Sequence, residues 1–274
     1  MKKKIPWADI HAHSQASDGS LSPTELIHHA KECGLFGLSI TDHDTTAAYA
    51  EAIPVAREVG IRLGVGIEFS SVFEGQDVHL LGYDFDLNSP DIEALCMRHK
   101  NRRLNRNLAV LEKLRSHKMD ITMEDIKEHG DSVGRPHIAH VMVQRGYVRS
   151  IKEAFDKYLG EGRCCYVRGD ALTVDETIAA LHKAHGKAFL AHPHLLAASF
   201  PIHRLLEKSF DGLECRYAKL SAKSAEPWEK IARSQNWHES AGSDFHGSVK
   251  PGLPLGCQGV DQATFERIFE NAPC

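Results

Sequence analysis

The order of predicted strands and helices is the feature that most restricts the fold of this chain. Short apolar segments such as 37–44 ("GLSITDHD") and 187–194 ("KAFLAHPH") alternate with amphipathic helices. The first helix has an N-cap at Ser22, Pro23 at its first position and a stop at Gly34. Strands that alternate with helices are typical of parallel βαβ units, and hence of a barrel or a doubly wound sheet. The length of 274 residues suits a single α/β barrel, which typically needs about 250 residues.

The alternation of strands and helices is interrupted once. Residues 89–167 are predicted to be almost entirely helical, and they begin with a long segment, "SPDIEALCMRHKNRRLNRNLAVLEKLRSHK". We therefore expect an α/β fold in which residues 1–88 and 168–274 form a barrel that binds metal. Residues 89–167 are expected to form an α-helical insertion.

The composition is that of an ordinary folded protein. A hydrophobic content of 42%, a charged content of 26% and a net charge of -4 argue against disorder and against nucleic-acid binding by bulk charge. The absence of a signal-like or membrane-spanning apolar run predicts a cytoplasmic protein without a membrane segment, and no obligate protein partner is evident. Seven scattered cysteines without a CxxC motif are typical of reduced thiols rather than of disulfides or a thiolate zinc site.

Potential metal ligands accompany most of the predicted strands. In an extended segment His11 and His13 point to the same side, so they could bind one ion together. Because the carboxyl ends of barrel strands converge on one rim, side chains that are distant in sequence would meet there. The candidates are His11, His13, Asp18, His43, Glu68, His79, His192, Asp244 and His246.

Each candidate alone has a structural explanation, such as a helix cap, an edge carboxylate or a turn residue. Together they would be a costly set of buried polar groups unless a ligand satisfies them. Imidazoles and carboxylates without thiolates suit Mn, Fe or Zn better than Ca or Cu(I). Nine side chains are too many for one divalent ion, but two or three ions could share them if Glu68 bridges.

Six ordered motifs resemble the PHP family, named for its polymerase and histidinol phosphatase members: "DIHAHSQASDG", "SITDHDT", "GIEFS", "VHLLGY", "AHPH" and "GSDFHG". The resemblance spans nearly the whole chain. It implies a distorted (β/α)7 TIM-like barrel with a trinuclear metal centre. By the resemblance, the first ion is bound by His11, His13, Glu68 and Asp244, the second by Glu68, His79 and His192, and the third by Asp18, His43 and His246.

Within the family, the "TDHDT" run, the helical insertion and "GRPHIA" are most similar to small phosphoesterases that act on nucleoside 3',5'-bisphosphates and, in some members, on RNA 5' ends. The resemblance implies that Arg135 and His137 contact phosphate. One position departs from the family pattern, since His194 stands where a glycine is expected. This departure leaves the shape of the pocket, and therefore the substrate, open.

The expected function is metal-dependent hydrolysis of phosphate monoesters, first of all the 3'-phosphate of nucleoside 3',5'-bisphosphates, by a hydroxide that bridges two ions. Arg135 would neutralise phosphoryl oxygens, and His194 or His137 would protonate the leaving oxygen. The alternatives are a 5'-3' exoribonuclease on short single-stranded RNA, a histidinol-phosphatase-like enzyme, a non-catalytic metal-binding module and an amidohydrolase that cleaves C–N bonds.

The long predicted helix carries a basic stripe. Between residues 98 and 118 there are eight Lys or Arg residues and one acidic residue. Arg98, Arg102 and Arg106 share a helical face roughly opposite that of Leu104 and Leu108. We expect either a solvated face or a surface that guides the phosphates of a nucleotide or a short RNA.

Overall fold

The structure is a computed structural model that describes residues 6–127, 134–170, 172–218 and 220–272. Seven strands in these ranges form one sheet in chain order. They are β1 Ala8–Ala12, β2 Gly37–Ile40, β3 Arg62–Phe73, β4 Gln76–Tyr83, β5 Lys187–Leu190, β6 Gly212–Tyr217 and β7 His238–Gly242. The segment after β7 returns to β1, because Asp244 N–H donates to the His11 carbonyl over 2.9 Å. The sheet is therefore a nearly closed seven-stranded barrel, which confirms the predicted fold class.

Two groups of strands are parallel, and one strand separates them. β1, β2 and β3 pair in parallel, as do β5, β6 and β7, whereas β4 is antiparallel to both β3 and β5. The parallel pairing expected for strands that alternate with helices is found in these two groups, and β4 departs from it. Glu74 and Gly75 alone connect β3 to β4, with φ angles of 48° and 77°. A two-residue turn joins antiparallel strands, whereas a parallel crossover needs about a dozen residues.

Helices connect the strands and fill the insertion. They are α1 Pro23–Glu32, α2 Tyr49–Val59, α3 Pro90–Ser116, α4 Met123–Lys127, α5 Arg135–Gln144, α6 Ile151–Ala154, α7 Val174–Lys183, α8 Ile202–Leu205, α9 Ala222–Ser234 and α10 Gln262–Ile268. The start of α1 is the predicted one, since Glu25 N–H donates to Ser22 Oγ and the Glu25 carboxylate accepts from Ser22 N–H. Among the described residues, none of the helices combines the length and the apolar character that a bilayer crossing requires.

The chain forms two compact units. One comprises Met1–Cys96 with Leu172–Cys274, and the other comprises Met97–Ala171. These limits differ from the expected ones, at 88/89 and 167/168, because the first turns of α3 pack on the barrel through Ile92 and Leu95. The insertion unit has a core of its own, which includes Val110, Leu114, Ile138, Met142 and Leu159.

On α3, two arginines expected on an exposed face are buried, and two leucines expected on the opposite, buried face are exposed. The side chains of Arg102 and Arg106 are only 9% and 7% exposed, whereas Leu104 and Leu108 are 43% and 48% exposed. Arg102 Nη2 donates to the carbonyl of Arg168 over 3.4 Å, so a buried guanidinium group has a backbone partner inside the insertion unit. Only these two arginines of the basic stripe are buried, whereas Arg98 and the other lysines and arginines of the stripe are exposed or partly exposed.

A glycine allows β7 to approach β1 where the first candidate ligands lie. A Cβ atom on Gly242 would lie 2.2 Å from His11 Cβ and 2.8 Å from His11 N, closer than any real contact. Any larger residue would push the two strands apart. The backbone of β7 therefore sets how closely the ligands on β1 and after β7 can meet.

Candidate metal centre

The structure brings the nine predicted ligand side chains together around Glu68. β3 extends beyond its parallel partner β2, which pairs with it only as far as Val65, and Glu68 lies in this extension. His43 follows β2 and forms an isolated bridge with Glu68, while His79 lies on the antiparallel strand β4. Glu68 is 1% exposed, so its carboxylate depends on the side chains around it for neutralisation.

The first set of side chains consists of His11, His13, Glu68 and Asp244. His13 Nε2 lies 3.1 Å from Glu68 Oε2 and 3.2 Å from Asp244 Oδ1. His11 Nε2 lies 3.3 Å and 3.4 Å from the same two oxygens. Two donors that are each about 2.1 Å from a common ion are about 3.0 Å apart at a right angle and about 3.4 Å apart at the tetrahedral angle. The four atoms therefore have the spacing of ligands around one ion.

The hydrogen bonding of His13 also fits a bound ion. In the part of the chain that the structure describes, neither ring nitrogen of His13 forms a hydrogen bond, although the side chain is fully buried. A buried imidazole without hydrogen bonds is costly unless another ligand satisfies its nitrogens. A divalent ion between His13 Nε2, Glu68 and Asp244 would satisfy Nε2.

The second oxygen of Glu68 faces a different pair of imidazoles. Glu68 Oε1 lies 2.9 Å from His79 Nδ1 and 2.8 Å from His192 Nε2. Because Oε2 faces His11 and His13, the carboxylate spans two groups of imidazoles, as a bridging ligand must. This is the arrangement that allows several ions to share nine side chains.

The third set consists of Asp18, His43 and His246, with His13 close by. Asp18 Oδ1 lies 3.3 Å from His246 Nε2, and Asp18 Oδ2 lies 3.8 Å from His43 Nε2. Asp18 and His43 are 17% and 14% exposed in their side chains, so this set adjoins solvent more than the first one does. The residues of the first and third sets implied by the family resemblance are thus close together. His79 and His192 of the second set meet at Glu68 Oε1, and His43 also lies close to Glu68 and His79. The binding of ions by these sets remains a proposal.

Charge within the centre is balanced by the histidines. Burial opposes ionisation of Glu68, but His43, His79 and His11 outweigh burial and hold its pKa well below its usual range. Burial also lowers the pKa of His43, to about 3, which leaves a neutral imidazole of the kind that binds metal. Burial alone would lower the pKa of His13, but Asp244 and Glu68 raise it to about 9. The centre therefore attracts positive charge, which protons or metal ions can supply.

Glu214 orients two of the candidate ligands, and the sequence reasoning missed it. Its Oε1 lies 2.8 Å from His11 Nδ1, and its Oε2 accepts a 2.7 Å hydrogen bond from the backbone N–H of His192. A carboxylate on Nδ1 fixes the ring of a metal-binding histidine and leaves Nε2 for the ion. The available signal was an acidic residue within the apolar β6 segment "GLECRY".

Two candidate ligands have unusual backbone conformations. His192 has a φ of 25° and Asp244 a φ of 53°, in the region that residues with a side chain rarely adopt. Hydrogen bonds support both, since Glu214 binds the N–H of His192 and Tyr217 Oη donates to Asp244 Oδ2 over 2.9 Å. Such strain persists where the surrounding structure holds a functional side chain in place.

The three predicted catalytic residues are divided between the two units. His194 is in the barrel unit, where its ring centroid is 4.6 Å from that of Tyr217, and burial lowers its pKa. Arg135 and His137 lie on α5 of the insertion unit. Arg135 places its guanidinium group 5.2 Å from the centre of the Tyr166 ring, and His137 Nδ1 accepts a 2.9 Å hydrogen bond from the Gly134 N–H.

Comparisons with known proteins agree with this geometry. Residues 9–239 match the model of the PHP domain. The chain is 36% identical over 247 residues to a 5'-3' exoribonuclease of Haemophilus influenzae. This alignment covers 87% of this chain and 89% of the relative. It is 28% identical over 256 residues to a 3',5'-nucleoside bisphosphate phosphatase of Chromobacterium violaceum, with 90% of each chain covered. A crystal structure of a metal-dependent phosphoesterase from Bifidobacterium adolescentis matches with a TM-score of 0.85 and 29% identity, over 97% of this chain and 96% of that one.

The chain therefore belongs to the PHP family. It is a metal-dependent phosphoesterase, a hydrolase that acts on phosphoester bonds. The family and the reaction class predicted from the six motifs are confirmed, and the bulk of the candidate ligands lies in the matched region.

Replacement of Glu214 by glutamine tests the positioning of His11. An amide keeps the size of the side chain but removes the negative charge of Glu214 that faces His11 Nδ1. The affinity for Mn²⁺ should therefore fall by about 10–100-fold. Calorimetric titration of the metal-free protein measures this affinity. Glu239→Gln is a matched control, because Glu239 lies on the neighbouring strand and binds Arg233 instead. Unchanged affinity in a folded Glu214→Gln variant would contradict the positioning role.

Proposed function

We propose that this enzyme hydrolyses the phosphoester bond at the 3'-oxygen of a 5'-phosphorylated nucleotide, and that its preferred substrate is the 5' end of short single-stranded RNA. The observation that carries the proposal is the group of nine imidazole and carboxylate side chains around the bridging position of Glu68. We further propose that these nine side chains are ligands of three divalent ions per chain, of Mn, Fe or Zn.

The two candidate substrates present the same bond to the enzyme. In a nucleoside 3',5'-bisphosphate, water cleaves the bond between the 3'-oxygen and a terminal phosphoryl group. In 5'-phosphorylated RNA, the same bond follows the first nucleotide, and the phosphoryl group carries the rest of the chain. A bisphosphatase and a 5'-3' exoribonuclease can therefore share one centre and differ only in how much chain the cleft accepts.

Similarity to known enzymes favours the longer substrate. The relative named 5'-3' exoribonuclease is more similar to this chain than the relative named 3',5'-nucleoside bisphosphate phosphatase. The bisphosphatase stays the second candidate, because its similarity also extends over nearly the whole chain. Histidinol phosphate is less favoured, since it has no 5'-phosphorylated nucleoside for the basic insertion to recognise.

Charge and order at the metal centre supply the rate enhancement. When bound, divalent ions lower the pKa of water from about 15.7 towards about 7 and place positive charge beside the phosphoryl oxygens. Glu68 holds the sets of imidazoles at fixed distances from one another. Glu214 and Tyr217 fix His11 and Asp244, so that the ligands need little rearrangement during the reaction.

Arginines of the insertion unit are suited to bind the phosphates of the substrate. Arg103 and Arg106 approach the first turn of α5, since a Cβ on Gly134 would lie 3.4 Å from Arg103 Nη1 and 4.0 Å from Arg106 Nη2. Arg135 begins α5 and lies against Tyr166. Backbone N–H groups at a helix start and planar guanidinium groups both favour phosphate oxygens. We propose that this basic group receives the 5'-phosphate, and that Arg135 also neutralises the phosphoryl group under attack.

A histidine must protonate the leaving 3'-oxygen, and His137 is the better of the two candidates. His137 Nδ1 accepts a hydrogen bond from the Gly134 N–H, so the ring in the structure is neutral with its proton on Nε2. We propose that it takes up a second proton at Nδ1 when phosphate binds, giving up this hydrogen bond, and then donates the Nε2 proton to the leaving oxygen. Burial lowers the pKa of His194, whose ring lies against that of Tyr217, and we propose that it shapes the pocket at the position where the family pattern predicts glycine. Both assignments predict distinct kinetic effects.

The substrate proposal predicts the products of a parallel assay. The Mn²⁺-loaded enzyme should shorten 5'-phosphorylated RNA stepwise from its 5' end, releasing nucleoside 5'-monophosphates. It should also release the 3'-phosphate of adenosine 3',5'-bisphosphate, at a lower kcat/KM, and should act poorly on histidinol phosphate. Chromatography of the products and phosphate release measure the three reactions.

The dependence of KM on salt concentration distinguishes binding of the RNA chain from binding of the reacting nucleotide alone. The KM for RNA should rise steeply with salt, because several phosphates are neutralised, whereas the KM for the bisphosphate should change much less. RNA with a 5'-hydroxyl group is the matched control substrate, and it should react more slowly. Phosphate release from the bisphosphate without any shortening of RNA would contradict the exonuclease and leave the bisphosphatase.

Three variants test the proposed roles in catalysis. Arg135→Ala should raise KM or lower kcat strongly for nucleotide substrates without changing the metal content. His137→Gln should lower kcat by about 10²–10⁴-fold on RNA, but far less on p-nitrophenyl phosphate, whose leaving group needs no proton. His194→Gln is the comparison variant and should show no such dependence on the leaving group. Equal losses of His137→Gln on both substrates would contradict its role as the general acid.

A further inference from the structure

A second group of metal-binding side chains lies within the insertion unit. His117 follows the last residue of α3, and Cys164 and Cys165 are adjacent in the segment after α6. One ligand atom from each of the three residues lies within 4.8 Å of the others. None of these residues belongs to the nine-residue centre, and the proposed phosphoester chemistry does not use them.

The distances in this group are close to those of a tetrahedral zinc site. The two sulfur atoms are 3.8 Å apart, and Cys165 Sγ lies 3.9 Å from His117 Nδ1. Zinc binds sulfur at about 2.3 Å and imidazole nitrogen at about 2.0–2.1 Å. Tetrahedral angles then place two sulfur ligands about 3.8 Å apart, and a sulfur and a nitrogen about 3.6 Å apart. The observed sulfur–sulfur distance matches this geometry, and the observed distance from Cys165 Sγ to His117 Nδ1 exceeds it by about 0.3 Å.

The exposure of the three residues suits an accessible metal site. Cys165 is fully buried, whereas Cys164 and His117 are exposed, so an ion could enter from solvent and be held on its inner side. His117 Nδ1 lies 3.0 Å from the carbonyl oxygen of Lys113. Because the ring is exposed, it can turn and exchange this hydrogen bond for a bond to the ion at little cost.

We propose that His117, Cys164 and Cys165 form a thiolate site for a borderline or soft divalent ion, with Zn²⁺ as the natural occupant and water as the fourth ligand. Binding releases the protons of the two thiols and leaves a Zn²⁺ ion held by two thiolates and one neutral imidazole. The nine-residue centre offers only nitrogen and oxygen ligands, so the two sites differ in ligand softness. The proposal is independent of the substrate of the enzyme.

The sequence pattern concealed this site. Without a CxxC motif, the cysteines indicated unligated thiols, and the third ligand is separated from the cysteine pair by most of the insertion. The fold brings the end of α3 next to the segment after α6, where Cys165 N–H also donates to the Tyr158 carbonyl over 3.0 Å. A bound ion would join these two segments and stabilise the insertion unit.

Cobalt provides a direct test, because a cobalt ion bound by thiolates gives a charge-transfer absorption that nitrogen and oxygen ligands do not give. Reduced, metal-free protein should develop this absorption on titration with Co²⁺, to a limit of one thiolate-bound ion per chain, and Zn²⁺ should abolish it. Because Zn²⁺ can also bind the nine-residue centre, the informative quantity is a difference: Zn²⁺ should raise the melting temperature of the metal-free parent chain more than that of metal-free Cys164→Ser.

Variants show which residues bind the ion that gives this absorption. Cys164→Ser, at an exposed position, should lose the absorption and the specific effect of Zn²⁺ while keeping the Mn²⁺-dependent phosphoesterase activity. His117→Ala should weaken Co²⁺ binding by at least about tenfold, since it removes one ligand of three. Cys257→Ser is the matched control and should behave like the parent chain. No thiolate absorption in the reduced protein, or an absorption that survives in Cys164→Ser, would overturn the proposal.

Discussion

The rest of the site depends on one buried carboxylate, that of Glu68. Each of its two oxygens contacts imidazole groups. An ionised carboxylate that is 1% exposed is stable only where positive charge or hydrogen-bond donors surround it. Several features of the barrel meet this need together. β3 is long enough to carry Glu68 past its parallel partner, the antiparallel β4 presents His79 beside it, and Gly242 lets β7 approach β1 at His11. The unusual position of β4 in the barrel is thus part of the construction of the centre.

Much of this centre follows from the sequence, because the rule that links strand ends to one rim of a barrel needs only the order of the strands. It identified Glu68 and the eight other imidazole and carboxylate side chains that the structure brings together there. The direction of β4 was not predicted, because the parallel pattern applies to strands joined by helices and only two residues join β3 to β4. Glu214 was missed because it lies inside a strand rather than after one, and its role depends on a neighbour across the barrel. The reversed faces of α3 could not be predicted, since tertiary partners rather than periodicity decide whether an arginine is buried.

The two compact units carry different kinds of chemistry. The barrel unit provides imidazoles and carboxylates, and the insertion unit provides buried arginines, the first turn of α5 and the group of His117, Cys164 and Cys165. Arginine side chains and the start of a helix bind phosphate regardless of the base, which is why the proposed function assigns recognition of the substrate phosphate to the insertion unit.

Anomalous diffraction from crystals of the Mn²⁺-loaded enzyme tests the central role of Glu68 most directly. The account predicts three peaks per chain, and each oxygen of Glu68 should lie about 2.0–2.2 Å from a different ion. Ions bound without contact to Glu68, or a single ion that contacts only one of its oxygens, would contradict the account.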